Sequence, residues 1–246
     1  MKERIYTIPI NDAFDKNSEC AVCEFEKQQE MLRVEYILGA SMMEPDSRIF
    51  TNSRGFCARH TAMLLKKENK LSLALVLKTH MDELINELEK AGNKLNTTTK
   101  QSLFSKSNAD VTDTLADVIS KKSCSCAVCE KLNVIMDSFV DNLIYLYFSE
   151  EDFKNKYINS NGFCLKHYDL LIKGAKRNLN GKKLKDFCIA LYNLEIQNFK
   201  RIRDDVDWFT KKFDYRYQNE DWKNSRDSVP RASQKISGCF DDETQS

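Results

Sequence analysis

Apolar residues recur every three or four positions along most of this chain, which is the period of an amphipathic helix. Residues 24–40 carry one such stripe among good helix formers, and residues 132–148 carry a denser one. Two longer stripes predict helices over about 71–91 and 183–208. The apolar positions of the first stripe are Phe25, Met31, Leu32, Val34, Tyr36, Ile37 and Leu38. Four main helices are therefore expected, two in each half of the chain.

Shorter helices are predicted around these four. Turn residues at 44–46 and 149–152 mark helix starts, and a further helix should begin near each Gly-Phe-Cys sequence. Residues 108–120 and 228–238 predict two more short helices. The chain holds only 7 glycines and 3 prolines in 246 residues, too few for the many turns of β-sandwiches or Rossmann-type folds. The fold class is therefore predicted to be all-α.

Charge is almost balanced, with 38 basic and 37 acidic residues. No net field therefore draws the whole chain to nucleic acid or to a membrane surface. The longest apolar stretch, at 71–77, is too short to span a bilayer, and the first twelve residues lack the apolar region of a secretory signal. A cytoplasmic protein without a membrane partner is expected.

The cysteines reveal an internal repeat. The sequence Cys-Ala-Val-Cys-Glu occurs at 20–24 and again at 126–130, an offset of 106 residues. The pattern Asn-Ser-x-Gly-Phe-Cys-x-x-His occurs at 52–60 and again at 159–167, an offset of 107 residues. Each copy thus reads C-x2-C, a spacer of 33 or 34 residues, and C-x2-H.

Each copy supplies three thiols and one imidazole, the donor set of a structural zinc site with four protein ligands. Two Zn2+ ions per chain are therefore predicted, and iron fits the same donors less well. The eight candidate ligands are Cys20, Cys23, Cys57, His60, Cys126, Cys129, Cys164 and His167. The simplest arrangement closes each site within one copy, but Cys20 and Cys23 could instead share an ion with Cys164 and His167.

The residues beside the second half of each motif fit such a site. Gly55 and Gly162 allow a positive φ or a close backbone approach. Residues 52–53 and 160–161 are expected to cap the helix that follows. The positive end of that helix would stabilise cysteine in its thiolate form, which is the form that binds metal.

Other polar residues receive less specific interpretations. Glutamates recur at 44 and at 150–151, where they are helix caps, partners of the histidines or part of a ligand pocket. Capping is the commonest of these roles. His80 lies in an apolar helix and is expected to be a hydrogen-bonded or partner-facing residue rather than a catalytic base.

Three cysteines lie outside the repeated motifs. Cys188 is expected to be a core thiol and Cys239 to be exposed. Cys124 could be a spare ligand or a resolving thiol, but Ser18 stands at the matching place in the first copy, so we interpret Cys124 as incidental. Disulfides are disfavoured because nothing marks the chain as secreted. Oxidation of zinc-bound thiolates with release of the metal stays open.

The repeat also predicts the domain organisation. Residues 1–92 form the first helical repeat, 93–122 a linker with a short helix, 123–212 the second repeat, and 213–246 an aromatic extension with a disordered tail. Each repeat is small enough to need a metal staple. The two zinc-stapled helical repeats are expected to pack into one body.

A basic segment suggests another partner. Residues 166–212 contain 12 basic and 6 acidic residues and lead into an aromatic-rich stretch. Cations interleaved with aromatic rings can bind single-stranded nucleic acid. A solvated helix face followed by packed aromatics is the favoured interpretation, because the overall charge is neutral.

The predicted function is therefore a non-enzymatic, zinc-stabilised binding or adaptor module with an unknown protein or small-molecule partner. A thiol-based redox or metal sensor is the first alternative, and nucleic-acid binding through 166–212 is the second. An enzyme comes last, because the sequence contains no nucleotide-binding, metalloprotease or serine-hydrolase motif.

Three segments resemble a known family. They are T-I-P-I-N-D-A-F at 7–14, E-C-A-V-C-E at 19–24 and M-E-P-D-S-R-I-F-T-N-S-R-G-F-C-A-R-H at 43–60. They resemble an uncharacterised bacterial family, a domain of unknown function found mainly in anaerobic Gram-positive bacteria. The resemblance extends to the second copy of the metal motifs and to F-D-Y-R-Y at 213–217. It implies a cytoplasmic bacterial protein and supplies no catalytic residues.

Overall fold

The computed structural model describes residues 7–98 and 107–238, and the regular structure within these ranges is entirely helical. The predicted all-α class is confirmed. The helices are α1 (Thr7–Asp15), α2 (Ala21–Leu38), α3 (Pro45–Arg54), α4 (Ala58–Lys66), α5 (Lys70–Thr98), α6 (Ser107–Cys124), α7 (Ala127–Ser149), α8 (Glu151–Ile158), α9 (Leu165–Asn178), α10 (Gly181–Lys211) and α11 (Ser228–Ser237), with 3-10 turns at Ala40–Met43 and Tyr215–Tyr217. In the described ranges, none of these helices has the length and apolarity needed to cross a bilayer.

The two sequence copies produce the same order of helices. The run α2, α3, α4, α5 in the first copy corresponds to α7, α8, α9, α10 in the second. The main helices lie where the apolar period predicts them, but α2 and α7 begin earlier, inside the C-x2-C motif. Helix α5 also continues to Thr98, beyond its predicted end and into the predicted linker. The predicted tail at 241–246 lies outside the described residues.

The chain divides into two compact units that do not follow the order of the sequence copies. Unit 1 consists of Met1–Gln28 and Ile135–Ser246, and unit 2 consists of Gln29–Val134. Both boundaries fall inside helices, one in α2 and one in α7. Each of these helices therefore begins in one unit and ends in the other.

The core of unit 1 is rich in aromatic side chains. The ring of Phe14 on α1 lies 5.2 Å from that of Phe153 on α8 in an edge-to-face arrangement. Phe25 stacks on Phe139 with ring centroids 4.2 Å apart. Burial of one such ring stabilises the folded state by about 1.5–3 kcal/mol, and aromatic pairing adds to this. Tyr157, Phe163 and Phe187 are fully buried in the same unit.

The core of unit 2 is aliphatic. Its buried residues are Val34, Ile37, Leu38, Leu64, Leu73, Cys126 and Val128. Cys126 and Val128 belong to the second C-x2-C motif, so this motif is part of the core itself. Partly buried Cys57 and Cys129 pack against the same cluster.

Candidate metal centres

The structure brings the eight predicted ligands together in two groups, one in each unit. Centre 1 is Cys20, Cys23, Cys164 and His167, and centre 2 is Cys57, His60, Cys126 and Cys129. In each group, one donor atom per residue lies within 4.8 Å of the other three. Each centre therefore combines the C-x2-C pair of one sequence copy with the C-x2-H pair of the other. The simpler expectation, closure within a single copy, is wrong.

Both centres form where two helices begin. In centre 1, Cys20 immediately precedes α2 and Cys23 lies in the first turn of that helix. Cys164 is the N-cap residue of α9, and His167 follows within its first turn. Centre 2 uses the starts of α7 and α4 in the same way. Exposed N–H groups at a helix start favour negative charge, so these positions favour thiolates.

The capping residues differ from those expected. Residues 52–53 lie in the last turn of α3 and do not cap the next helix. The N-cap of α4 is Cys57, and that of α9 is Cys164 rather than a residue at 160–161. Neither cysteine side chain makes a capping hydrogen bond. The thiols are therefore directed to the centres, and the capping prediction was wrong.

The donor distances in centre 1 suit a shared ion. His167 Nδ1 lies 3.3 Å from the Sγ atoms of Cys23 and Cys164 and 3.4 Å from that of Cys20. The Sγ atoms of Cys23 and Cys164 are 3.6 Å apart. Zn–S bonds of about 2.3 Å place neighbouring sulfurs of a tetrahedral site about 3.8 Å apart, whereas a disulfide needs about 2.05 Å. All four side chains are at most 1% exposed.

Centre 2 has similar distances but is less enclosed. His60 Nδ1 lies 3.1, 3.2 and 3.3 Å from the Sγ atoms of Cys57, Cys126 and Cys129 respectively. The Sγ atoms of Cys57 and Cys129 are 3.9 Å apart. His60 and Cys126 are buried, whereas Cys57 and Cys129 are partly exposed.

A carboxylate lies against the second ring nitrogen of each histidine. Glu26 Oε2 is 3.1 Å from His167 Nε2, and Glu30 Oε1 is 2.8 Å from His60 Nε2. Such a carboxylate fixes the ring orientation and makes the other nitrogen a better metal ligand. Arg59 in turn donates two hydrogen bonds, of 3.0 and 2.8 Å, to the Glu30 carboxylate.

Sequence reasoning missed these two glutamates. It interpreted the glutamates at 44 and 150–151 chiefly as helix caps. Glu44 and Glu150 do occupy the N-cap positions of α3 and α8, without a side-chain capping bond, and Glu44 accepts a hydrogen bond from Tyr36. Glu26 and Glu30 are four residues apart on α2, so they share one helix face. That spacing was the available signal.

The surroundings of centre 2 favour a positive charge among the thiols. Burial alone lowers the pKa of His60, but contacts with Cys126 and Glu30 outweigh it and raise the pKa to about 10. Burial raises the pKa of Cys126, but the contact with His60 and the backbone N–H groups of Cys129 and Cys57 lower it to about 6. Because His60 must be neutral and the cysteines deprotonated to bind a metal, an ion bound here would displace these protons.

Helix α11 and its neighbours close centre 1. Lys235 on α11 is fully buried, and its Nζ donates to the Glu19 carbonyl at 2.7 Å and to the Asn161 carbonyl. The Glu19 carboxylate pairs with Arg201 at 2.6 Å and with Arg231 at 3.3 Å. These contacts hold the chain just before Cys20 and just before the second Gly-Phe-Cys sequence.

The two glycines of the Gly-Phe-Cys sequences adopt positive φ, +63° at Gly55 and +74° at Gly162. A Cβ at Gly55 would lie 2.4 Å from His80 Nε2, and one at Gly162 would lie 2.8 Å from Glu195 Oε1. Both predicted reasons for glycine therefore hold at both positions. His80 is partly buried, and its Nδ1 lies 2.6 Å from the Asn52 carbonyl, in agreement with a hydrogen-bonded histidine.

The cysteines outside the two centres lie apart from this chemistry. Cys124 is exposed at the end of α6, where its Sγ is 3.9 Å from Ser123 Oγ. Cys188 on α10 is partly buried rather than a full core thiol. Cys239 lies outside the described residues.

The basic segment 166–212 engages many of its cations within the fold. The ion-paired residues are Lys166, Lys173, Arg177, Arg201, Arg203 and Lys211. Lys212 is buried and donates to backbone carbonyls, and the ring of Phe209 packs against those of Phe213 and Trp222. Nucleic-acid binding stays a prediction, and these contacts favour the interpretation as a solvated face with packed aromatics.

Comparison with known proteins places the chain in a family. No curated protein and no solved structure matches it. A family model described as "Family of unknown function (DUF6062)" matches residues 1–243. The match covers nearly the whole chain and confirms the resemblance to a family of unknown function. The chain therefore belongs to the DUF6062 family.

Proposed function

We propose that this chain is a zinc-binding, non-enzymatic cytoplasmic protein in which two structural Cys3His centres stabilise a helical binding module. The observation that carries the proposal is the closure of each centre by four protein donors within 4.8 Å of one another. Four protein ligands complete the tetrahedral coordination of zinc and leave no position for a substrate. The bound ion would cross-link two helix starts.

The donor chemistry supports zinc over the alternatives. Three thiolates and one imidazole are a common structural zinc set. Glu30 lies within hydrogen-bond distance of His60 Nε2, and the Glu26 carboxylate lies 3.1 Å from His167 Nε2. A carboxylate at this ring nitrogen commonly accompanies metal-bound histidine. None of the eight cysteines that the structure describes is in a disulfide, and the Sγ separations of 3.6 Å (Cys23–Cys164) and 3.9 Å (Cys57–Cys129) are too long for one.

Metal analysis of the purified protein tests the proposal. Two zinc equivalents per chain are expected, and Co2+ exchanged into the protein should give the absorption spectrum of tetrahedral thiolate coordination. Because metal binding contributes folding free energy, removal by a chelator should lower the helical circular-dichroism signal. Cys124→Ser, which alters an exposed thiol outside both centres, is the matched control. Less than one equivalent of zinc, or full helicity after its removal, would contradict the proposal.

A cavity in unit 2 supports the binding role. It has a volume of about 430 Å³, and its lining includes Arg33, Tyr36, Glu44, Asp46, Phe50 and Lys131. Cations stand over both rings, with Lys131 Nζ 4.7 Å from the centre of Phe50 and the Arg33 guanidinium 5.8 Å from that of Tyr36. Rings and charges of both signs suit a small amphipathic ligand. Such a ligand should raise the unfolding temperature of the zinc-loaded protein but not of a Phe50→Ala variant, and equal shifts in both would exclude this cavity.

A further inference from the structure

The two centres differ in the accessibility of their thiols. In centre 1 the three cysteines are at most 1% exposed. In centre 2, Cys57 and Cys129 are partly exposed, and their Sγ atoms are 3.9 Å apart. Oxidation of a zinc-bound thiolate depends on thiolate character and on exposure to the oxidant. Both centres hold thiolates when loaded, so exposure is what separates them.

The difference has a structural cause. Lys235 on α11 ties together the chain segments that precede Cys20 and Cys164. A Cβ placed at Gly238, just after α11, would lie 3.9 Å from Cys164 Sγ, so the end of this helix reaches the thiols of centre 1. In unit 2, α6 packs on α5, and Lys122 near its end donates to the Ser53 carbonyl at 2.9 Å. Cys57 and Cys129 nevertheless stay partly exposed.

We propose that Cys57 and Cys129 form an oxidation-sensitive thiol pair, which a peroxide converts to a disulfide with release of the ion from centre 2 while centre 1 keeps its ion. The inference rests on the proposed zinc binding and adds a modification site to it. The oxidant is a hydroperoxide, such as H2O2, that reaches the partly exposed side of the centre.

The reaction balances in two steps. One thiolate attacks a peroxide oxygen, so that an S–O bond forms and the O–O bond breaks, and the departing hydroxide takes a proton to become water. The other thiolate then attacks the sulfenic sulfur, the S–S bond forms, and the second oxygen leaves as water after protonation. Two thiolates lose two electrons, one peroxide gains them, two protons are consumed, and Zn2+ leaves because two of its four ligands are gone.

The geometry favours this pair over other thiols. Cys126 is only 3% exposed, and its Sγ accepts hydrogen bonds from the backbone N–H groups of Cys57 and Cys129. An oxidant therefore reaches this thiol last. Cys124 is exposed and belongs to neither centre, and its Sγ lies 3.9 Å from Ser123 Oγ. The 3.9 Å between Cys57 and Cys129 must shorten to about 2.05 Å, a movement open to two side chains once the ion leaves.

The test treats the zinc-loaded full chain with H2O2, follows released zinc with a chromogenic chelator and maps disulfides by mass spectrometry. One zinc equivalent should be released at least ~10-fold faster than the second, since reactivity follows exposure. The first disulfide should join Cys57 and Cys129, and Cys124→Ser should behave like the parent protein. Simultaneous release of both ions, earlier release from centre 1, or a first disulfide through Cys124 or Cys126 would overturn the inference.

A second variant opens the enclosed centre without changing any ligand. Lys235→Ala removes the buried ammonium that closes centre 1, and it should bring the release of the second ion closer to that of the first. An unchanged interval would contradict the assigned cause. A protein purified with two zinc ions that resists peroxide at both centres refutes only this inference. A protein that never binds zinc refutes the proposed function instead.

Discussion

Centre 1 and centre 2 use the same donors at the same kind of helix start, but their surroundings differ. The segment before Cys20 is held by the buried Glu19 carboxylate and by Lys235. The corresponding residue in the second copy is Ser125, whose hydroxyl donates to the Arg54 carbonyl. A duplicated motif therefore specifies a coordination set, whereas the helices packed around it decide how far solvent reaches the ligands.

The cores around the centres differ in a related way. Unit 1 packs Phe14, Tyr157 and Phe163 into an aromatic cluster. In unit 2, Cys126 is itself a member of the aliphatic core. Large buried rings stabilise unit 1 independently of its ion, so the smaller unit 2 is expected to depend more on metal.

The largest expected effect comes from removing ligands. Cys57→Ser should release one zinc and unfold much of unit 2, because structural zinc contributes roughly 10 kcal/mol or more in zinc-finger peptides. Cys164→Ser should also release one zinc but preserve more of unit 1. Hydrogen exchange in α3 and α4 compared with α8 and α9 measures the difference, and equal loss of protection would remove the distinction between the cores.

Double variants test the pairing of the motifs in the same experiment. Cys20→Ser with Cys164→Ser should leave one zinc, since both changes affect centre 1. Cys20→Ser with Cys57→Ser should leave none, since they affect different centres. No zinc in the first double variant and one zinc in the second would instead show that each centre is formed within a single sequence copy.

The next largest loss of stability is expected from a substitution at Gly55. Its φ of +63° and ψ of −153° belong to a region reserved for glycine, so Gly55→Ala should cost roughly 1–3 kcal/mol, with added strain from the His80 ring. Gly92→Ala is the control, because a Cβ there meets nothing within 4 Å and alanine stabilises a helix by up to about 1 kcal/mol. Urea unfolding measures both, and a neutral Gly55→Ala would contradict the close approach.

A smaller effect, on metal affinity, is expected when the carboxylate beside the histidine of centre 2 is changed. Glu30→Gln weakens the contact with His60 Nε2, and loss of such partners typically lowers metal affinity about 10–100-fold. Competition with a chelator measures the affinity. Glu35→Gln, which changes an exposed glutamate paired with Lys67, should leave it unchanged. Equal affinities for both variants would show that the carboxylate does not support the ligand.

The smallest expected effect concerns pH. Burial raises the pKa of Glu195 from 4.5 to about 7 against the opposing effects of Lys235 and the Phe163 N–H. Between about pH 4.5 and pH 7 the folded state therefore keeps a proton on Glu195 that the unfolded state has lost. The free energy of unfolding falls as the pH rises through this range. Glu195→Gln removes the titrating carboxyl group, so the variant should become more stable relative to the parent protein as the pH rises. Parallel pH profiles would contradict a buried, protonated Glu195.

The helices and the clustered Cys and His residues could be predicted because their signals are local. The apolar period placed α10, and the repeated spacing identified the eight residues that the structure gathers into two groups. The caps were missed because Cys57 and Cys164 take the N-cap position without the side-chain bond that defines the usual signal. Glu26 and Glu30 were missed because their histidine partners are far away in sequence.

Sequence alone determined the candidate donor residues, and tertiary structure decided which cysteine pair meets which histidine motif. The two copies carry the same donors, so coordination chemistry does not distinguish one C-x2-H pair from the other. Packing does: the helix that leaves each cysteine pair, α2 or α7, begins in one unit and ends in the other. Each cysteine pair therefore belongs to a different unit from the histidine motif of its own copy, and the other copy completes the centre.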